Sequence, residues 1–384
     1  MQKDLVDYSI AYYKYGGLSE ALFNVNPLGA LKGALFVLNA SNKILHIGNS
    51  LSIGSSVSQT EVLSKHQSQI ISYPKKPTYR QIEIKTFFIF IYRLITTIYD
   101  TLCCNLYRDK LTFTARFALF LQINVGLHIA KRLRYSGMIK ILYIATDHCP
   151  IVLSCIYTLK ESFPSLFITY EPHGGNVGWE NAYRSLSWGL FDEIIVESLL
   201  QKQVLEYWAT MNNINVAFVV RSPSSPIKVN NFSDDGEKSD TKVVIWLNQA
   251  DLWPENIDKF RAVIYRLEKQ RIINFETASV VVKETTNDNE VKRIFTDQPA
   301  ELYTSFSDYL DNRKQGDKQN VMHVVLSSTV VLKVLTLGEI IFFTESSPLH
   351  HDEGLQFALS QRGFAIQQVY PELWTVLTSI ETQK

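Results

Sequence analysis

Two clusters of polar side chains, each directly after a short apolar run, are the best candidates for chemistry in this sequence. Asp147 and His148 form the first cluster, and Glu171 and His173 belong to the second. Carboxylates and imidazoles transfer protons near neutral pH when their surroundings tune them. These residue types indicate acid–base chemistry, with Asp147 as the first candidate base and His173 as the second. Glu171 is a third base or a partner that orients His173, and His148 is a candidate acceptor contact.

The loop that contains His173 has features that suit a sugar. Gly174 and Gly175 lack side chains, so the backbone can approach a ligand closely, and Asn176 adds an amide group on the same acceptor side. Structural roles would explain the same pattern. Asp147 can cap the helix that begins near residue 150, and His173 can be a loop histidine without a ligand. The residues alone leave both alternatives open.

Three consecutive hydroxyl residues, Ser327, Ser328 and Thr329, form a second candidate site. They follow an apolar run and precede a helical pattern, so their hydroxyls are expected beside the free N–H groups of a helix start. Such a site suits a phosphate, and the helix dipole assists its binding. The alternative is that Ser327 or Ser328 is an ordinary N-cap.

Two other stretches give weaker signals. Residues 350–353 gather two histidines and two carboxylates, but adjacent histidines point in different directions, which disfavours a metal site. The loop 48–56 lies between a predicted strand and a predicted helix, yet it lacks the strict GxGxxG spacing. No DxD motif is present. We therefore expect no bound metal.

Short apolar runs alternate with helical segments, which is typical of parallel sheets whose strands are joined by crossover helices. A helix is predicted after Pro150 and another near Ser198. Because ligands bind at the carboxyl ends of parallel strands, both acid–base clusters are predicted to lie at a ligand-binding edge. In the first half the predicted strands are 34–38, 43–47, 69–73, 141–145, 166–170, 193–196 and 217–220, and the long predicted helices are 87–107 and 111–135.

The second half repeats this alternation. Between the halves lies a stretch rich in Ser, Pro, Asn and Asp without apolar periodicity, as in linkers. The sequence thus predicts an α/β protein with two Rossmann-like doubly wound parallel-sheet domains, at 1–221 and 242–384, and a linker at 222–241. In the second domain the predicted strands are 243–247, 278–282, 322–326 and 340–343, and the predicted helices are 255–269, 300–311 and a segment ending near 337.

The composition is that of a globular protein with enough apolar residues for two cores. Of 384 residues, 46% are hydrophobic and 20% are charged, and the formal net charge is zero, which argues against a general nucleic-acid binder. Residues 1–222 carry 21 basic and 15 acidic side chains, a net of +6, and the remainder carries −6. A basic first half indicates an anionic substrate or a membrane surface.

The cysteines and the N-terminus indicate a cytoplasmic protein. Cys103 and Cys104 are adjacent, and the spacing of Cys149 and Cys155 matches no zinc or redox pattern, so we expect all four to be reduced. The N-terminus lacks the basic start and the continuous apolar block of a signal peptide. The inner face of the membrane is a further option for its location.

The segment 87–107 bears on that option. It is long enough to span a bilayer but contains Arg93, Asp100 and Asn105, which disfavours a true span. Its apolar residues fall on one helical face, as in a half-buried helix of a soluble core. Because basic residues flank the segment, an interfacial helix on a membrane fits as well.

Two such domains joined by one linker resemble the GT-B glycosyltransferases of bacterial surface-polysaccharide type. The resemblance covers most of the chain from about residue 34 and rests on three stretches, which run from IATDHCP to FDEIIVES, from AFVVRSP to KVVIWLN, and through VVLSSTVVLKVLTLGEIIFFTES. It implies that the domains face a central cleft, with the acceptor on the first and the nucleotide-sugar on the second. The donor contacts that it implies are Ser327, Ser328, Thr329, Arg221, Lys283, Asn248 and Glu345.

The sequence departs from the family pattern on the donor side. Many members carry a Glu that binds the nucleotide ribose in the helix after the phosphate loop, whereas Lys333 stands there in this chain. Glu339 and Glu345 are nearby candidates for that role. Arg221, Lys228 and Lys283 are candidate substitutes for the Arg and Lys that many members place on the diphosphate. The donor nucleotide therefore stays open.

The resemblance implies transfer of a sugar from a nucleotide-sugar to a glycan or lipid-linked glycan, without a cofactor or a metal. It also implies peripheral membrane contact and no nucleic-acid partner. Two alternatives remain. Non-hydrolysing nucleotide-sugar 2-epimerases share the architecture but carry His-x-Glu-Ala-Gly and Ser-Gly-Gly stretches that this chain lacks, and a non-catalytic subunit of a glycosyltransferase complex would tolerate eroded motifs. A two-lobed small-molecule binding protein is disfavoured by the missing signal peptide.

Overall fold

A computed structural model describes residues 27–43, 49–54, 63–66, 68–71, 78–104, 111–136, 139–147, 149–172, 181–221, 242–247, 262, 265–269, 279–282, 301–303, 309, 321–325, 334–335, 340–343, 347, 350–370 and 373–378. The chain divides into two compact units, and each contains one sheet. The predicted α/β class with Rossmann-like sheets is therefore confirmed. The predicted linker lies outside the described residues. The first unit is Met1–His173, Glu180–Glu197 and Leu205–Arg221, and the second is Gly174–Trp179, Ser198–Val204 and Ser222–Lys384.

Six parallel strands form the sheet of the first unit, in the spatial order β2-β1-β3-β4-β5-β6. The chain adds β2 on one side of β1 and β3 on the other, so the strand order reverses between β1 and β3. In open α/β sheets, ligands bind outside the carboxyl ends of the strands at such a reversal. The strands are β1 (Ser50–Ile53), β2 (Gln69–Ile71), β3 (Ile141–Ile144), β4 (Phe167–Tyr170), β5 (Glu193–Val196) and β6 (Ala217–Val220).

Helices connect these strands and cover the sheet. The pair α2 and α3 links β2 to β3, α4 links β3 to β4, and α3 packs against α1, α2 and α4. At the end of α4, Lys160 Nζ donates to the Leu166 carbonyl at 2.9 Å and to Asp192 Oδ2 at 2.6 Å, which fixes the helix against β4 and β5. The helices are α1 (Pro27–Lys43), α2 (Ile84–Cys103), α3 (Phe113–Ser136), α4 (Pro150–Ser162), α5 (Asn181–Arg184) and α6 (Leu199–Met211).

At the start of this unit, the predicted strand 34–38 and the predicted glycine-containing loop around residue 50 are wrong. The run 34–38 lies inside α1 and is not a strand, because a short apolar run that is buried on several sides has the same composition in a helix as in a strand. The predicted strand 43–47 begins at Lys43, where α1 ends, and 44–47 lie outside the described residues. The first strand is Ser50–Ile53, within the stretch predicted as a glycine-containing loop. The predictions for 69–73, 87–107, 111–135 and 141–220 are confirmed within a few residues at each end.

Seven strands form the sheet of the second unit, in the order β12-β13-β11-β10-β7-β8-β9. Strands β7 to β11 pair in parallel, whereas β12 and β13 form an antiparallel hairpin at one edge. In its core, Trp246 Nε1 donates to Nδ1 of the fully buried His323 at 2.9 Å. The elements are β7 (Lys242–Leu247), β8 (Ser279–Val282), β9 (Glu301–Tyr303), β10 (Val321–Val325), β11 (Ile340–Phe343), α7 (Glu353–Ser360), β12 (Phe364–Tyr370) and β13 (Leu373–Thr378).

The sequence predictions for this unit fail in two places. The predicted helix 300–311 begins as the strand β9, and Tyr309 is helical. Tyrosine is compatible with a helix and with a strand, so the sequence did not distinguish them. Residues 301–303 form a strand because they pair with β8. Nothing in the apolar pattern indicated α7, β12 and β13. The hairpin has a mixed, half-polar pattern, which suits an edge that one sheet neighbour covers.

Candidate active site

The carboxylate of Glu171 is the centre of a charged cluster in the first unit. Its backbone N–H donates to the Ile144 carbonyl at 2.8 Å, which extends the β3–β4 ladder by one residue. The side chain is only 4% exposed. Arg221, directly after β6, donates through Nη1 to Oε1 and through Nη2 to Oε2, the latter at 2.7 Å. A bidentate, charge-assisted pair of this kind holds both groups in one geometry.

His66 binds the same carboxylate from the segment that precedes β2. Its Nε2 lies 2.8 Å from Glu171 Oε2, and its ring stacks on Tyr143 with a centroid distance of 3.9 Å and an interplanar angle of 10°. Because an ionised carboxylate can only accept, this bond assigns the proton of the neutral ring to Nε2 and leaves a lone pair on Nδ1. No hydrogen bond joins Nδ1 to another residue in the part of the chain that the structure describes.

Two further charges surround the cluster. Lys65 Nζ lies 3.7 Å from Glu171 Oε1, and Glu197 Oε1 lies 3.7 Å from Arg221 Nη1. About half of each of these two side chains is exposed, so their attraction is weakened by solvent. The Glu171 carboxylate is thus bound mainly by His66 and Arg221, and Lys65 adds only a long, solvent-exposed ion pair.

These contacts shift the pKa values of both partners. Burial alone would raise the pKa of Glu171, but the hydrogen bonds from His66 and Arg221, together with the charge of Arg221, outweigh burial and hold it below its usual range. The hydrogen bond to Glu171 is the largest cause of the raised pKa of Arg221. Both groups are therefore charged at neutral pH.

The lowered pKa of Glu171 predicts how acid affects stability. Its ionised form contributes stability above the pKa of the unfolded chain, about 4.3, and this contribution is lost as pH falls through the lower folded value. We expect Glu171→Gln to lose about 2 kcal/mol of unfolding free energy at neutral pH and to show a flatter decline in acid. Urea unfolding over a pH series measures both.

The exposed Glu161, at the end of α4, provides the control. Glu161→Gln is expected to keep the unfolding free energy of the native protein at neutral pH. Equal acid limbs for the Glu171→Gln and native proteins would contradict the assigned role of the carboxylate.

Asp147 lies in a separate, buried network. Its Oδ2 accepts a hydrogen bond from Trp188 Nε1 at 2.9 Å, Arg184 Nε lies 4.0 Å from Oδ1, and Ser187 Oγ donates to its carbonyl at 2.7 Å. The N-cap residue of α4 is Cys149, so Asp147 does not occupy that position. It holds the segment after α5 against the end of β3.

Comparison with known proteins adds little to this geometry. No protein-family model and no curated protein match the chain. Nine chains of solved structures match, among them a Listeria monocytogenes protein proposed to be a UDP-N-acetylglucosamine 2-epimerase. That alignment covers 86% of this chain and 79% of the other, with 12% identity and a TM-score of 0.38. The similarity is too weak to assign an activity.

Two of the predicted site residues bind each other, and a third makes other contacts. Glu171 and Arg221, predicted for catalysis and for the donor, form one ion pair, whereas Asp147 binds Trp188. The other predicted residues lie outside the described residues. These are His148, His173, Gly174, Gly175 and Asn176 on the acceptor side, and Asn248, Lys283, Ser327, Ser328, Thr329 and Glu345 on the donor side.

Sequence reasoning missed two residues of the cluster. His66 lies 105 positions from Glu171, and no motif or spacing links them. Tyr143 is inside β3, where a half-buried aromatic residue gives no functional signal. The only available hint was a histidine in a polar stretch before a strand.

The histidine and acidic cluster near residue 350 has a structural role. The Asp352 side chain caps α7 by accepting a hydrogen bond from Leu355 N at 3.0 Å, and the ring of His350 packs against Trp374. Among the described residues, no group of three or more His, Cys, Asp or Glu side chains is placed to hold a metal. All four cysteines are free thiols.

Proposed function

We propose that this protein is a glycosyltransferase that moves a sugar from a nucleotide-sugar to a glycan or lipid-linked glycan. The observation that supports the proposal is the His66–Glu171–Arg221 cluster, in which a buried, ionised carboxylate holds an imidazole at the ligand-binding edge of a doubly wound sheet. Transfer with inversion needs a base that deprotonates the acceptor hydroxyl. In its neutral form, a histidine whose Nε2 donates to a carboxylate carries a lone pair on Nδ1, which can accept that proton.

In the proposed reaction, His66 Nδ1 accepts the proton of the acceptor hydroxyl. The hydroxyl oxygen bonds to the anomeric carbon, and the bond from that carbon to the phosphate oxygen breaks, so the nucleotide leaves with the electron pair. Glu171 stabilises the imidazolium that forms, and Arg221 keeps Glu171 ionised and in place. This logic of base and orienting carboxylate recurs on unrelated folds.

The proposed donor site belongs to the second unit. Ser327, Ser328 and Thr329 follow β10, which lies between β7 and β11 in the sheet. N–H groups and hydroxyls at a helix start neutralise a leaving phosphate. Asn248, Lys283 and Glu345 follow neighbouring parallel strands in the sequence and remain proposed donor contacts.

Binding of a nucleotide is the first prediction of this proposal. In a thermal-shift screen against UDP, GDP, CMP, CDP and ADP, we expect one nucleotide to raise the melting temperature. A ligand at 100 times its dissociation constant adds about 2.7 kcal/mol of stability. Ser328→Ala combined with Thr329→Ala should abolish the shift, because it removes two hydroxyls from the phosphate site.

The control removes two hydroxyls elsewhere. Thr114→Ala with Ser360→Ala changes exposed residues of the two units and should leave the nucleotide-induced shift unchanged. A screen in which no nucleotide shifts the native protein would overturn the donor assignment.

An assay of the native protein with a nucleotide-sugar distinguishes sugar transfer from isomerisation. With the nucleotide-sugar of the responding nucleotide, a transferase releases the nucleotide in the presence of acceptor. Incorporation of deuterium from solvent into the sugar, without nucleotide release, would instead show an isomerase, because epimerisation at carbon requires removal of a C–H proton. Either result is read by mass spectrometry of the products.

A further inference from the structure

Helix α2 turns its apolar side chains outward. Between residues 84 and 102, nine large apolar side chains are at least 36% exposed. Phe88, Ile95 and Leu102 are examples, at 69%, 60% and 62%. Isolated exposed apolar residues are ordinary, whereas a continuous row over five turns of one helix marks an interaction surface.

The inward face of α2 is mostly polar, with three buried threonines and one buried phenylalanine. Thr86 Oγ1 accepts a hydrogen bond from the Asn42 amide of α1 at 3.0 Å, and Thr97 Oγ1 accepts one from the Asn124 amide of α3 at 3.2 Å. Both threonines are fully buried. Arg116 of α3 donates to the Thr101 carbonyl, in the last turn of α2, and to the Cys104 carbonyl. Hydrogen bonds therefore hold α2 on the first unit, and its apolar face is exposed.

The neighbouring helix α3 shows that this arrangement is specific to α2. By length and composition, both helices could cross a membrane, but the apolar window of α3 is 67% buried in the unit and that of α2 is 22% buried. The helix α3 is thus a core helix. Because the polar face of α2 is bound to α1 and α3, α2 can enter a bilayer only from its outer side.

We propose that the outer face of α2 lies flat in the surface of an anionic membrane. The segment 75–110 carries seven basic and three acidic side chains, a net of +4, and Arg80 and Lys85 at the start of the helix are exposed. Tyr92 and Tyr99, at 58% and 67% exposed, put hydroxyl-bearing rings on the same face. Apolar side chains, interfacial tyrosines and flanking basic residues together match the surface of anionic lipids.

The charges disfavour a second copy of the chain as the occupant. Residues 75–85 carry four basic and one acidic side chain, and residues 105–110 carry two basic and one acidic. If two copies packed α2 against α2, either orientation would bring net positive segments together. An anionic lipid surface attracts both ends of the helix.

Cosedimentation with vesicles tests the proposal without any assay of activity. We expect the native protein to pellet with phosphatidylcholine vesicles that contain phosphatidylglycerol, and less with phosphatidylcholine alone or in high salt. Phe88→Ser with Ile95→Ser should lower the partition coefficient between vesicles and water at least about tenfold, because two apolar side chains that insert into the membrane are lost. Arg80→Gln with Lys85→Gln should reduce the preference for anionic lipid.

The matched control is Met211→Ser with Phe357→Ser. These two apolar residues lie on other surfaces and are 61% and 46% exposed. This variant should bind vesicles like the native protein. The proposal is overturned if native protein stays in the supernatant, or if Phe88→Ser with Ile95→Ser binds like the native protein. If the native protein does not bind, a dimer in sedimentation equilibrium that Phe88→Ser with Ile95→Ser dissociates would identify a second copy of the chain as the partner of this face.

Discussion

Gly126→Ala is expected to destabilise the first unit by about 3 kcal/mol, a large effect for one methyl group. Gly126 is a buried residue of α3 where that helix crosses α4. A Cβ there would overlap the Ser154 hydroxyl and the Ile151 carbonyl oxygen of α4. The hydroxyl cannot turn away freely, because it donates to the Pro150 carbonyl at 2.6 Å. The two helices would have to separate.

Gly33→Ala is the matched control for this prediction. Gly33 is also a helical glycine of the first unit, in α1, but a Cβ there meets nothing within 4 Å. Because alanine restricts the unfolded chain and favours the helix, this substitution is expected to stabilise by roughly 0.5 to 1 kcal/mol. The same chemical change should thus have opposite signs at the two positions.

Urea unfolding followed by circular dichroism measures both variants. Adding Ser154→Gly to Gly126→Ala removes one of the two overlaps and should recover part of the lost stability. If Gly126→Ala unfolds with the native midpoint, the close crossing of α3 and α4 is incorrect. A similar loss for Gly33→Ala would point to backbone effects unrelated to packing.

The sheet of the first unit was predictable from β3 onward for a physical reason. There, each apolar run is four or five residues long and is followed within two residues by a charged residue, and the runs of β3, β4 and β5 precede helical segments. Length and boundaries therefore separate strand from helix. Asp147 and Glu171 mark such ends. The run 34–38 lacks these boundaries, and its placement in α1 depends on packing against α3, which the local sequence does not contain.

The candidate site was predictable only in its separate parts. Glu171 was predicted because it follows a strand, and Arg221 because the resemblance implies a basic donor contact. Their pairing depends on the order β4-β5-β6, which brings together residues 50 positions apart. His66 comes from a segment without a motif. The role of Asp147 as a base stays a prediction, and its hydrogen bond from the Trp188 indole N–H had no signal in the sequence.

His66→Ala is expected to lower kcat about a thousandfold if His66 is the base of the proposed transfer, since positioned proton transfer contributes about 10² to 10⁴. Nucleotide release from the donor that responds in the thermal-shift screen provides the assay. Nucleotide binding should persist, because the proposed donor site lies in the other unit. Added imidazole should restore part of the rate by occupying the vacated space on Tyr143, and a purely structural histidine would show no such rescue. His351→Ala, at an exposed histidine, should have native activity.

Glu171 acts through His66 in this proposal, and that connection has its own signature. Glu171→Gln keeps the shape and an acceptor oxygen but loses the charge that stabilises the imidazolium, so we expect a fall in kcat of about a hundredfold. In the His66→Ala protein the same substitution should add almost nothing, because the group it serves is gone. If the two substitutions lower kcat additively in this double-mutant cycle, Glu171 supports the unit through Arg221 alone. The base would then be another residue on the same edge of the sheet.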